Sequence, residues 1–120
     1  MTKNIADMEP KSPAAAPFRP PAECVTLAEV RRQIDRLDGE LVALLATRQN
    51  YVESAARIKQ DRSLVRDDNR IQEVLENVIK QARREGLNPH LAEAVWTALI
   101  EASIGHEYDV FDRKHDKTKT

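Results

Sequence analysis

The chain has 120 residues, enough for one domain and too few for two comfortable cores. Charged residues make up 32% and aromatics 4%, and five of the six prolines lie before residue 22; this fits a helical protein with a proline-rich leader and excludes a β-sandwich. A net charge of −1 gives no global field toward nucleic acid or membrane, and the single cysteine, Cys24, excludes an intrachain disulfide and a cysteine-built zinc site.

Residues 1–23 read as a disordered leader. Pro10, Pro13, Pro17, Pro20 and Pro21 break any helix there and leave nothing to pack. Ala14 to Ala16 is too short for the apolar part of a signal peptide. No stretch approaches the roughly 18 apolar residues of a membrane span, so a cytoplasmic protein is expected.

The first helix starts at a capping box, Thr26 followed by Glu29. Behind it Leu27, Val30, Ile34, Leu37, Leu41, Leu44 and Leu45 recur at three- and four-residue steps, and Val52, Ala55, Ala56 and Ile58 continue the stripe. No proline interrupts it, which predicts one helix of about 35 residues and about 50 Å. Residues 61–66 form a short connection. Asp67 or Asp68 caps a second helix with Ile71, Val74, Leu75, Val78 and Ile79 on its apolar face, ending at Gly86 after Arg83 and Arg84. Asn88 and Pro89 open a third, with Leu91, Val95, Leu99 and Ile104 on its face and Trp96 adding bulk. It frays around residues 111–114.

The expected architecture is all-α: three helices with one very long N-terminal helix. The helical domain occupies residues 24–113, and 114–120 form a polar tail. Nothing in the chain matches the long stripe over its full length, and a wet patch of that size is rarely left exposed. Pairing with a second copy covers it, so an intertwined homodimer is expected.

Four cations stand out among the apolar positions: Arg31, Arg48, Lys59 and Arg70. Arg48 and Lys59 are eleven residues apart, close to three helical turns, and share a face within about 20°. They are about 16 Å apart along the axis, near enough for two long side chains to lean toward one ligand. Arg31 lies seventeen residues before Arg48, about 25 Å away and turned by about 100°. If it belongs to the same site, it comes from the other chain. Spacing alone also fits plain solvated cations and i,i+4 pairs. His90, His106 and His115 lack metal-ligand spacing and suit surface or capping roles. Ser103 has no evident His–Asp partners, and no glycine-rich phosphate loop is present.

The run LAEVRRQIDRLDGELVALLATRQNYVESAARIK, Leu27 to Lys59, resembles the first helix of the all-helical (type II) chorismate mutases. VRDDNRIQEVL, from Val65, resembles the start of their second helix, and ALIEASIGHE stands at the matching place in the third. The likeness spans roughly residues 24–110, and its most specific part is R-x-x-I-D-x-L-D with an Arg seventeen residues after its first position. PAEC and NYVESAARIK look closest to one branch, the isochorismate pyruvate-lyases.

The resemblance implies an intertwined dimer with two sites, no cofactor and no metal. Arg48 would bind one substrate carboxylate, and Arg31 of the other chain the second. Lys59 would sit beside the ether oxygen. Arg70 would support the pocket, and Asp67 would hold the nearby loop, mainly through its backbone. Ser103 would line the third helix, and Glu107 would face the ether oxygen. Two positions depart from the mutase pattern. Ile71 stands where many mutases have a Glu that binds the ring hydroxyl, which is similar to the lyase branch. Glu107 stands where many have Gln; protonated, it would donate a hydrogen bond as Gln does.

The implied activity is the rearrangement of chorismate to prephenate, with Lys59, Glu107 and Arg48 as the catalytic groups. The alternative is an isochorismate pyruvate-lyase yielding salicylate and pyruvate from an isomeric dicarboxylate. A third reading, of another class, is a non-catalytic helical dimerisation module.

Overall fold

A computed structural model describes residues 18–116. It contains three α-helices: α1 (Leu27–Ile58), α2 (Asp68–Glu85) and α3 (Pro89–His115). No strand occurs among the described residues, so the all-α expectation holds. No described helix is long and apolar enough to cross a membrane. The chain divides into two units, residues 1–43 and 44–120, and α1 contributes to both.

In the first unit, most of the expected leader, residues 1–17, lies outside the described residues. Its last part carries a 3-10 turn, Pro21–Glu23, with proline in the opening position where no N–H is needed. The Arg36 guanidinium lies 4.0 Å from the Phe18 ring centre, and the Arg19 N–H donates to Gln33 Oε1 at 3.2 Å. The capping box forms as expected on one side: Thr26 Oγ1 accepts from the Glu29 N–H at 3.1 Å. Glu29 Oε1 reaches one residue further back and accepts from the Val25 N–H at 2.9 Å. The apolar stripe behind the cap stays open, with Ile34 48% and Leu41 54% exposed.

In the second unit, both ends of α2 and the start of α3 are set by local chemistry. Asp67 caps α2 by accepting from the Arg70 N–H. Gly86 closes it at φ 77°, the left-handed region that favours glycine, and the Leu87 N–H reaches back to the Ala82 carbonyl at 2.8 Å. Asn88 caps α3 by accepting from the His90 N–H at 2.9 Å, and Pro89 follows. α2 packs against α3. A small apolar core joins Ala56 of α1, Val65 of the connection, and Val110 and Phe111 of α3.

Two details differ from the sequence reading. The expected apolar face of α3 is covered only in part: Leu91 and Val95 are exposed, Leu99 and Ile104 are half-buried with Ile104 packed on the core, and Ala92, Ile100, Val110 and Phe111 are buried. The helix also runs to His115, just past the expected fraying zone. Val110 and Phe111 are core residues, and the His115 ring stacks on Phe111 at 3.9 Å, which holds the last turn.

Candidate active site

Arg48 and Lys59 both reach α3. Lys59 follows the last residue of α1 and keeps the helical bond of its N–H to the Ala55 carbonyl, so its side chain leaves from a fixed backbone. Lys59 Nζ donates to Glu107 Oε2 at 2.8 Å and lies 3.5 Å from the Val65 carbonyl oxygen. Arg48 Nη1 donates to Ser103 Oγ at 2.8 Å. Ser103 and Glu107 are four residues apart on α3, one turn, so they share a face. Arg48 of α1 and Lys59 just past its end therefore meet a hydroxyl and a carboxylate stacked on one side of α3.

These four residues line a cleft of about 760 Å³. The first turn of α2 forms another wall with Asp67, Arg70 and Ile71. Seven of the eight site positions read from the sequence thus line one cleft. The eighth, Arg31, is an exposed residue of the first unit.

The electrostatics are uneven. Glu107 is buried, 7% exposed, and Lys59 supplies its countercharge. Arg48 is half-buried, and its partner is the neutral Ser103 hydroxyl. It lines the cleft, and a guanidinium binds a carboxylate in a bidentate way. Arg70 is turned to Glu73 on its own helix, at 2.6 Å, and both side chains are largely exposed. Asp67 is committed to capping. Its carboxylate accepts from the Arg70 N–H and its carbonyl from the Ile71 N–H at 3.0 Å.

Sequence reasoning missed Tyr51, Asn69 and Glu73, which also line the cleft. Only Glu73 had a readable signal, its i,i+3 spacing from Arg70. It also missed that His106 pairs with Glu53 across α1 and α3 at 2.6 Å. That hydrogen bond, with the imidazole charge, holds the Glu53 carboxyl below its ordinary value. No group of acidic, histidine or cysteine side chains among the described residues could hold a metal ion.

Residues 30–108 match the chorismate mutase type II family. The chain belongs to that family. Two relatives show its breadth. An isochorismate pyruvate lyase of Pseudomonas aeruginosa is 28% identical over 90 residues, covering 75% of this chain and 89% of the relative. A chorismate mutase of Methanocaldococcus jannaschii is 22% identical over 94 residues, covering 78% of this chain and 95% of the relative. The family match begins just after the α1 cap and ends within α3, so it contains every residue of the cleft.

Proposed function

We propose that the protein is a chorismate mutase that converts chorismate to prephenate in aromatic amino acid biosynthesis. One observation carries the reading: in a chain of this family, Arg48 and Lys59 converge with Ser103 and Glu107 on a single cleft. The reaction is an internal rearrangement. One C–O bond breaks, one C–C bond forms, and no atom enters or leaves.

The residues' task is to hold a dianion in its compact conformer and to meet charge growing on the ether oxygen. Arg48 takes one carboxylate with its guanidinium. Lys59 turns from Glu107 toward the ether oxygen, and a protonated Glu107 donates there as well. Arg70 exchanges Glu73 for the pocket. Arg31 of a second copy takes the other carboxylate, within an intertwined homodimer. The dimer reading is supported by the open stripe of α1 and by the few apolar residues buried in the single chain. The protein is taken to work in the cytoplasm.

A second reading is favoured by Ile71. An apolar side chain stands on the cleft wall where many mutases carry the acid that binds the ring hydroxyl. In isochorismate that hydroxyl sits on a different carbon. As an isochorismate pyruvate-lyase, the same cations would hold the isomeric dianion. The C–O bond would break as a ring hydrogen passes to the enolpyruvyl carbon, giving salicylate and pyruvate.

Incubation of the pure protein with each substrate, with assay of prephenate, salicylate and pyruvate, separates the readings. Prephenate from chorismate supports the mutase, and salicylate with little prephenate moves the assignment to the lyase. No conversion of either leaves a non-catalytic helical module. Ile71→Glu is expected to shift preference toward chorismate by about tenfold, the effect of one hydrogen bond to a charged group.

A further inference from the structure

The connection between α1 and α2 carries two arginines with no role in the cleft. Arg62 lays Nε and Nη2 on the two carboxylate oxygens of Asp112, at 2.9 and 3.3 Å, and its guanidinium lies 4.4 Å from the Tyr108 ring centre. Arg66 forks onto Glu101 in the same way, at 3.1 and 2.9 Å. Both acids belong to α3, eleven residues apart, which is about 16 Å of helix. A six-residue segment, 61–66, is thus fixed to one helix at two separate points.

Val65 lies between the two anchors. Its side chain is buried in the core, 4% exposed, and its carbonyl faces Lys59 Nζ. Asp67, the α2 cap, comes directly after the second anchor. Exposed ion pairs add little to global stability. Two bidentate forks on one short segment act instead on its local opening, which requires both to part.

We infer that Arg62 and Arg66, through Asp112 and Glu101, are positioning residues that fasten the α1–α2 connection to α3 and so hold the Val65 carbonyl and the first turn of α2 against the cleft. This deepens the proposed function and rests on it for its catalytic consequence; the fastening itself does not depend on the reaction. A ligand that needs the closed connection sees its affinity reduced by the closed fraction, while turnover at saturation stays the same. Each fork is worth up to about fivefold in that equilibrium, and the two together up to roughly 20-fold.

The charges are poised for this at neutral pH. The hydrogen bonds and charge of Arg66 hold the Glu101 carboxyl below its ordinary value, and Glu101 in turn raises Arg66. A depressed carboxylate stabilises the fork above its unfolded value and loses that effect only as pH falls through the lowered one.

The test removes the acids and keeps the connection intact: Glu101→Gln with Asp112→Asn. Hydrogen exchange of the Leu64 and Val65 amides, which donate to Asp61 and Arg62 carbonyls at 3.0 and 3.1 Å, reports opening directly. We expect exchange there to quicken by about tenfold with α2 and α3 interior amides unchanged, and KM to rise by about twofold to threefold, less than exchange because only the lost closed fraction counts, at unchanged kcat. The charge-swapped pair Arg66→Glu with Glu101→Arg should recover part of the KM rise of Arg66→Glu alone, the remainder coming from Asp68, whose carboxylate lies 3.4 Å from Arg66 Nε. Unchanged exchange overturns the fastening. Faster exchange with unchanged KM overturns the positioning role, and so does a fall in kcat at constant KM. Failure of the swap to rescue overturns the Arg66–Glu101 pairing. If wild-type protein converts neither substrate, the proposed function falls and exchange alone decides the fastening.

Discussion

Lys59→Ala is expected to cut turnover by on the order of 10²–10³, the usual effect of removing a donor aimed at developing negative charge. The same change has a second consequence. Glu107 is buried, and Lys59 is its countercharge at 2.8 Å. Removing the lysine leaves a buried carboxylate without a cation, which costs about 1–3 kcal/mol once the partial exposure of Lys59 is allowed for. Loss of activity in the single variant would therefore mix chemistry with stability. Adding Glu107→Gln separates the two. The double variant should regain most of its thermal stability, because a neutral amide needs no countercharge, and should stay inactive. Circular dichroism melts and a prephenate assay read the two effects independently. Near-normal turnover in Lys59→Ala would end the site assignment.

The second large effect concerns Arg31. Arg31→Ala and Arg48→Ala should each be nearly inactive, because each removes one of the two proposed carboxylate clamps. Heterodimers of one Arg31→Ala chain and one Arg48→Ala chain should recover about half of wild-type activity. One of their two sites then has an intact Arg48 from one chain and an intact Arg31 from the other, while the second site lacks both. If Arg31 served its own chain, neither site would be whole. Differently tagged chains, co-expressed and purified through both tags, supply the sample. An inactive heterodimer would remove the cross-chain contribution.

What the sequence revealed, and what it concealed, follows the range of the interactions. Thr26, Asp67, Gly86 and Asn88 were readable as helix ends because a cap and its partners lie within a few residues. The common face of Arg48 and Lys59 was readable because eleven residues of helix fix their rotation. The uneven burial along α3 was not. A 3.6-residue period reveals that a helix has an apolar side, but it cannot say which apolar residues meet their own chain and which await another. Leu91 and Val95 carry the same signal as Ile100 and have the opposite exposure. The Glu53–His106 pair and the forks of Arg62 and Arg66 link positions 35 to 53 residues apart, and no local pattern marks such partners.

If a second copy covers the open stripe of α1, as proposed, activity is tied to abundance. A chain that completes its core on a second copy has no stability apart from its own concentration. Dilution would lower the melting temperature and the specific activity together, as sites and folded helices are lost in one step. The copy number of the protein would then act as a control on flux.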